Sequence, residues 1–159
     1  MKPFRPLVLL AFIAVTFAAG AIGSTATFRN VTTWYPMLEK PTWTPPSALF
    51  GPVWTALYIA MSVAGWRAWR KAPTPAATDG MIRLYGAQLI LNALWSILFF
   101  GMRRPDLALF DIIALWLLLL VGLIRFWRLD RLAGILWVPY LLWVSFATAL
   151  NASIWSLNR

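Results

Sequence analysis

Five long apolar segments occupy most of this chain of 159 residues. They cover about 7–28, 49–69, 81–101, 107–127 and 132–157, and each is close to the roughly 20 residues that a helix needs to cross a bilayer. Their apolar residues lack the alternation of strands, and helices satisfy their own backbone groups in lipid. The sequence therefore predicts an all-α membrane protein, a single-domain bundle of five transmembrane helices.

The composition argues against several classes of function. Charged residues make up 12% of the chain, against about 25% in soluble domains. The net charge of +9 comes from Lys and Arg in the connections, where it sets topology and meets lipid headgroups, so no nucleic-acid partner is expected. Because the chain has no His and no Cys, it lacks the usual general base, thiolate and haem ligand. We expect no metal site and no required cofactor.

Most of the eleven Trp residues stand inside or beside the apolar segments. Trp gathers at membrane interfaces and in pockets with aromatic walls. Together with the apolar segments, this predicts a binding cavity inside the membrane.

The first connection, about residues 29–47, is much longer than the others. It contains two Trp, one Tyr and four Pro. Long loops are usually either functional or disordered, and disordered segments are poor in aromatic residues. We interpret this connection as a stiff, packed lid over one mouth of the bundle. The alternative is an anchor on the headgroups.

Short turns join the remaining segments. The prolines at 73 and 75 end the second helix, because Pro cannot donate and restricts its predecessor. Asp106 and Asp130 are predicted to cap the amino termini of the fourth and fifth helices.

Asp111 is a carboxylate at membrane depth in the fourth helix. Burying a charge in a bilayer is costly, although the cost falls near a helix amino terminus. We expect Asp111 to cap its helix or to pair with Arg103 or Arg104 rather than to relay protons.

Basic residues are distributed unequally between the two sides of the membrane. One side carries nine (Lys2, Arg5, Arg67, Arg70, Lys71, Arg83, Arg125, Arg128, Arg131) and the other five (Arg29, Lys40, Arg103, Arg104, Arg159). The positive-inside rule then predicts a cytoplasmic amino terminus and an external lid. The amino-terminal basic residues and the sequence Ala19-Gly20-Ala21 also fit a secretory signal with its cleavage site, but we expect the first helix to be retained.

Polar and aromatic side chains form stripes on three of the predicted helices. By helical spacing the stripes consist of Trp54, Tyr58 and Met61, of Gln88, Asn92, Ser96 and Phe99, and of Trp143, Ala147, Leu150 and Asn151. They could line a cavity. Alternatively, amides and small residues such as Ala147 could hold helices together.

Four motifs in order resemble the translocator protein family, also called tryptophan-rich sensory proteins or peripheral benzodiazepine receptors. They are Trp34-Tyr35 with Lys40-Pro41-Thr42-Trp43-Thr44-Pro45-Pro46, Gly51 to Tyr58, Gln88 to Gly101, and Pro139 to Asn151. The resemblance covers nearly the whole chain. It implies a five-helix bundle, often a homodimer, with a ligand pocket under the first loop.

The resemblance also implies ligands and site residues. Family ligands are porphyrins, including protoporphyrin IX and haem, cholesterol and synthetic benzodiazepines. The expected ligand-binding residues are Trp34, Trp43, Pro45, Trp54, Tyr58, Asn92, Trp95, Trp143, Phe146, Ala147 and Leu150. Where the family's proposed cholesterol motif has a Tyr and a basic residue, this chain has Ala152 and Ser156. We therefore do not expect high-affinity cholesterol binding.

Three functions are compatible with this reading. The first is a receptor in a bacterial cell membrane that binds porphyrins and regulates tetrapyrrole level or stress signalling. The second is an enzyme that degrades protoporphyrin IX in light, with Trp54 and Trp143 as its catalytic residues. The third is a porphyrin or sterol transporter, which the lack of an internal repeat disfavours.

Overall fold

The computed structural model describes residues 5–159, so Lys2, counted in the basic asymmetry, lies outside it. Five helices are long and apolar enough to cross a membrane, and no strand is found among the described residues. They are α1 (Pro6–Asn30), α2 (Phe50–Lys71), α3 (Pro75–Ser96), α4 (Pro105–Leu129) and α5 (Arg131–Leu157). The predicted all-α bundle of five membrane helices is confirmed.

Packing contacts place the helices around the bundle in the order α1, α2, α5, α4, α3. The large side chains of Trp137, Tyr140 and Phe126 are fully buried between them. The Trp137 indole donates to the Leu119 carbonyl oxygen at 3.1 Å, so even the polar atom of this core residue is satisfied inside the bundle.

Local capping sets the helix ends. Helix α3 begins at Pro75, about six residues before the apolar segment, because the Thr74 hydroxyl accepts from the Ala77 amide at 3.1 Å and Pro suits the first helical position. The predicted cap of α5 is confirmed, since the Asp130 carboxylate accepts from the Ala133 amide at 2.9 Å.

The predicted cap of α4 is wrong. Pro105 begins the helix one residue before Asp106, since its fixed φ and missing N–H suit the first position. Asp106 therefore lies in the first turn, and its carboxylate accepts from the Arg104 guanidinium at 2.8 and 2.6 Å.

A π-helical turn over Ile97–Gly101 continues α3. After it, Arg103 has a φ of 55°, which a residue with a Cβ rarely adopts. Its guanidinium donates to Asn30 Oδ1 at 3.2 and 2.9 Å. This contact fixes the end of α1 against the α3–α4 turn.

Two glycines bring α1 close to its neighbours. A Cβ at Gly20 would overlap the Tyr58 ring of α2, and one at Gly23 would lie 3.0 Å from the Ser96 hydroxyl of α3. A larger residue would require the Tyr58 ring or the Ser96 side chain to move, so the two glycines favour these close approaches. Helix α1 is thus packed into the bundle.

Candidate ligand-binding cavity

A cavity of about 450 Å³ lies between α1, α2, α3 and α5. Its volume falls within the roughly 300–1,000 Å³ of small-molecule sites. It lies next to the connection over residues 31–49, called the first loop below. The side chains around it are predominantly aromatic and aliphatic: Phe17, Gly20, Ala21, Ser24, Thr27, Phe28, Val31, Tyr35, Ser47, Phe50, Gly51, Trp54, Thr55, Tyr58, Trp95, Ser96, Phe99, Phe100, Trp143, Phe146, Ala147, Leu150, Asn151 and Ile154.

The aromatic wall is centred on two indoles. Trp54 of α2 and Trp143 of α5 meet edge to face, with ring centroids 6.5 Å apart and planes at 87°. Trp143 also contacts Phe146 at 5.5 Å and Phe50 at 6.1 Å. These mutual contacts hold broad ring surfaces in place beside the cavity.

Seven of the eleven residues expected to bind ligand lie on the cavity wall: Trp54, Tyr58, Trp95, Trp143, Phe146, Ala147 and Leu150. Helical spacing had grouped five of them, Trp54, Tyr58, Trp143, Ala147 and Leu150, whereas Trp95 and Phe146 were expected from the family resemblance. Trp34, Trp43, Pro45 and Asn92 do not line the cavity.

Asn92 is buried behind Tyr58 instead of facing the cavity. Its amide nitrogen donates to the Tyr140 hydroxyl at 3.1 Å, and its oxygen accepts from the Tyr58 hydroxyl at 3.4 Å. The Tyr140 hydroxyl in turn donates to Gln88 Oε1 at 3.0 Å. The two amides of α3 thus join that helix to α5, as the helix-association alternative expected.

The two Trp residues of the first loop pack against phenylalanines of the cavity wall. Trp43 contacts Phe146 at 5.6 Å, and Trp34 contacts Phe99 at 5.8 Å. Three residues of the first loop line the cavity, Val31, Tyr35 and Ser47, and burial raises the pKa of the Tyr35 phenol. Sequence reasoning grouped Tyr35 with its motif but did not assign it to the site.

Hydrogen bonds hold the first loop in a fixed shape. The Lys40 ammonium donates to the carbonyl oxygens of Tyr35 at 2.8 Å and Leu38 at 2.7 Å. At the end of α5, the Asn158 amide accepts from the Glu39 N–H at 3.0 Å and donates to the Glu39 carbonyl at 2.8 Å. The loop is therefore tied both to itself and to the end of the bundle.

One side of the cavity is formed by α1, which sequence reasoning missed. Its contribution comes mainly from small or hydroxylated residues such as Gly20, Ser24 and Thr27. These residues showed no stripe, because α1 is apolar around its whole circumference. The spacing of Gly20, Ser24 and Thr27 on one helical face was the sequence signal that could have predicted this wall.

The cavity has a mouth between α1 and α2. Phe28 and Phe17 of α1 are 75% and 37% exposed, and Gly51 and Thr55 of α2 are also exposed, although all four line the cavity. Since both helices are membrane spans, this mouth faces the lipid.

Asn151 lines the cavity with its polar atoms already paired. Its oxygen accepts from the Trp95 indole at 2.9 Å, and its nitrogen donates to the Pro105 carbonyl at 2.7 Å. It therefore positions Trp95 and offers little to a ligand.

Both expected roles of Asp111, capping α4 and pairing with Arg103 or Arg104, are wrong. Arg104 binds Asp106 and Arg103 binds Asn30, since both arginines lie beyond the start of α4, whereas Asp111 is more than a turn inside it. Asp111 is 8% exposed, and its Oδ2 has no hydrogen-bond partner among the described residues.

The family model and the individual relatives that match this chain indicate the same protein family. A family model described as the TspO/MBR family matches residues 12–156. The chain is 41% identical over 156 residues to the tryptophan-rich protein TspO of Chlorobaculum tepidum, covering 96% of each chain. It is 38% identical to the tryptophan-rich sensory protein of Cereibacter sphaeroides, over 92% of this chain and 90% of that one. The human translocator protein is 35% identical over 79% of this chain and 75% of its own.

Proposed function

The chain belongs to the TspO/MBR family of membrane proteins, and from that premise we propose that it is a receptor for porphyrins and similar flat hydrophobic ligands. The ligand occupies the cavity between α1, α2, α3 and α5, beside Trp54 and Trp143. Binding regulates tetrapyrrole level or stress signalling in a bacterial cell membrane. The receptor acts as a homodimer.

The observation that carries the proposal is the pair of indoles beside a cavity of about 450 Å³. A planar aromatic ring gains most from broad, rigid, apolar surfaces on which it can stack or meet a ring edge. Trp54 and Trp143 supply two such surfaces at 87° to each other. A flat ligand therefore stacks on one indole and meets the edge of the other.

Direct titration tests the proposal. The protein, reconstituted in lipid nanodiscs, is titrated with protoporphyrin IX while Trp fluorescence is recorded. We expect saturable quenching with one ring bound per chain. Nanodiscs that carry a membrane peptide with a single Trp, in place of the protein, serve as the control. Quenching that rises without saturation, as in that control, would show that the porphyrin only partitions into lipid.

The Trp pair also supports a second candidate function, light-dependent oxidation of bound protoporphyrin IX. Two oxidisable indoles line the same cavity, where one can donate an electron to the excited ring. The reduced ring passes this electron to dioxygen, the indole radical cation recovers an electron from the ring, and the oxidised ring combines with the superoxide, so that dioxygen is the net oxidant. Illumination in air with a tenfold excess of porphyrin separates the two functions. An enzyme converts the whole excess faster than empty nanodiscs do, whereas with a receptor the excess decays at the rate seen in empty nanodiscs.

A further inference from the structure

Hydroxyl groups on the cavity wall fall into two sets. Ser24, Thr27 and Thr55 donate to carbonyls of their own helices, and Tyr58 donates to Asn92. The other set has no acceptor for its protons among the described residues and consists of Tyr35, Ser47 and Ser96. A hydroxyl has one proton and two acceptor lone pairs, so the hydroxyls of this second set can still donate to a ligand.

Ser96 keeps its proton although it lies in a membrane helix. Ser and Thr in helices can donate to the carbonyl of the preceding turn, as Ser24 does at 2.8 Å and Thr55 at 2.9 Å. The Ser96 side chain instead lies against Gly23 of α1, where an added Cβ would be 3.0 Å from Ser96 Oγ. The missing side chain at Gly23 therefore leaves room for this hydroxyl between α1 and α3.

The Tyr35 phenol is held by its ring and not by its hydroxyl. The ring contacts Phe100 with centroids 5.7 Å apart and Phe99 with centroids 6.3 Å apart. These two residues lie one turn beyond Ser96 on the same helix, so both donors are near the first-loop end of the cavity. Burial raises the pKa of the Tyr35 phenol, which keeps its proton in place at neutral pH.

An oxygen that only accepts hydrogen bonds is the ligand group that these donors fit. Ionised carboxylates and carbonyl groups are of this kind. No Lys or Arg lines the cavity within residues 5–159, but the Lys40 ammonium lies 5.0 Å from the centroid of the Tyr35 ring. A nearby cation stabilises negative charge, so Lys40 offsets part of the cost of burying a carboxylate beside the Tyr35 phenol.

We propose that Tyr35 and Ser96 are specificity-determining residues whose hydroxyls donate to a carboxyl or carbonyl oxygen of the ligand at the first-loop end of the cavity. The inference rests on the proposed porphyrin site and names the groups that bind the polar substituents of the ring. Ser47 is exposed, where water competes for its proton, and is given no such role.

Three porphyrins test this assignment at pH 8. They are protoporphyrin IX with ionised propionates, its dimethyl ester with neutral carbonyls, and etioporphyrin, whose side groups are all alkyl. Each is titrated into nanodiscs that contain the wild type or a variant, and the ratio of the two affinities is recorded for each porphyrin. This ratio cancels the different tendencies of the three porphyrins to enter lipid.

Tyr35→Phe and Ser96→Ala remove the two hydroxyls and keep the Tyr35 ring and the Ser96 Cβ. We expect each to weaken binding of the diacid by about tenfold, because a hydrogen bond to a charged group is stronger than a neutral one. The ester should lose about twofold to tenfold, and etioporphyrin should stay within about twofold of the wild type. A larger loss for the diacid identifies the carboxylate as the acceptor, and equal losses for diacid and ester identify the carbonyl oxygen.

Ser153→Ala is the matched control. Like Ser96, Ser153 is half-buried on a membrane helix, and its hydroxyl has no acceptor in the part of the chain that the structure describes. Because it does not line the cavity, we expect all three porphyrins to bind this variant like the wild type.

The outcomes separate the two donors from the site as a whole. If the wild type binds the porphyrins saturably but both variants bind them unchanged, or lose affinity equally for all three, the proposed function stands and the donor assignment is wrong. If the wild type binds none of the three saturably, the proposed function fails and the assignment fails with it.

Discussion

Arg67 and Asp130 form a two-pronged ion pair between α2 and the turn that joins α4 to α5. Arg67 Nε lies 2.9 Å from Asp130 Oδ1, and Nη2 lies 2.9 Å from Oδ2. The Asp130 side chain is only 7% exposed and also caps α5. One carboxylate therefore joins three helices at the end of the bundle opposite the first loop.

Replacing Asp130 should destabilise this end. Asp130→Asn removes the charge from two hydrogen bonds, and we expect a loss of about 1–3 kcal/mol in the free energy of unfolding. Thermal unfolding in detergent measures it. Asp106→Asn is the matched control, because the pair of Arg104 and Asp106 is more exposed and such pairs contribute little. Equal unfolding temperatures for Asp130→Asn and the wild type would contradict this role.

The same ion pair should make stability depend on pH. The Arg67 guanidinium holds the pKa of Asp130 below its usual value. Its contribution is therefore complete above the unfolded-state pKa of about 4 and is lost as the pH falls through the lowered pKa. The difference between wild type and Asp130→Asn should shrink on going from pH 7 to pH 3. A constant difference would contradict the assignment.

Ala147 limits the width of the cavity, since its methyl group is part of the wall. Ala147→Thr adds a hydroxyl in place of hydrogen and a second carbon on Cβ. Adding atoms to a packed interior typically costs about 1–3 kcal/mol of stability. We expect weaker binding of protoporphyrin and a smaller loss for a narrow ligand such as a benzodiazepine. Ala149→Thr, on the exposed side of α5, should leave both affinities unchanged. Equal losses for both ligands at position 147 would show a general packing defect.

Iron should contribute little to haem binding. Strong axial ligands are His, Cys, Met or Tyr, and the chain has neither His nor Cys. Met61 is fully buried outside the cavity wall, and the Tyr58 phenol is directed to Asn92. The other phenol on the wall is Tyr35, and burial raises its pKa, which disfavours the phenolate that would bind iron. Haem and metal-free protoporphyrin should bind within about tenfold of each other, or about 1.4 kcal/mol. A hundredfold preference for haem with a nitrogen- or sulfur-ligated spectrum would contradict this prediction.

The predicted topology places the first loop outside the cell. Because the chain has no native Cys, single substitutions Thr42→Cys and Ala76→Cys can be labelled cleanly in whole cells. A membrane-impermeant maleimide should label the first and not the second until the membrane is opened. Labelling of both from the same side would contradict the five-span topology, and the reverse pattern would contradict its orientation.

The sequence predicted the helices and much of the cavity because both follow from periodicity. Apolar length defined five spans, and helical spacing grouped Trp54 with Tyr58 and Trp143 with Ala147. These residues do share one cavity. The length of the apolar segments thus predicted the number of spans, and helical spacing predicted which residues share the cavity.

Other features could not be predicted, because they depend on contacts between helices. The apolar sequence of α1 does not show which face meets Tyr58, and Asn92 shares a stripe with cavity residues yet lies behind one of them. The π-helical turn before Arg103 has no sequence signature. Each is set by how close two helices approach, which periodicity does not encode.

The central claim is that a flat ring binds beside Trp54 and Trp143, and titration of Phe variants tests it most directly. Trp54→Phe and Trp143→Phe should each weaken protoporphyrin binding by about threefold to tenfold, since aromatic pairs contribute about 0.5–1.5 kcal/mol beyond burial. Trp127→Phe, which is half-exposed and does not line the cavity, should bind like the wild type. Unchanged affinity in both cavity variants, with both still helical and monodisperse, would contradict the account.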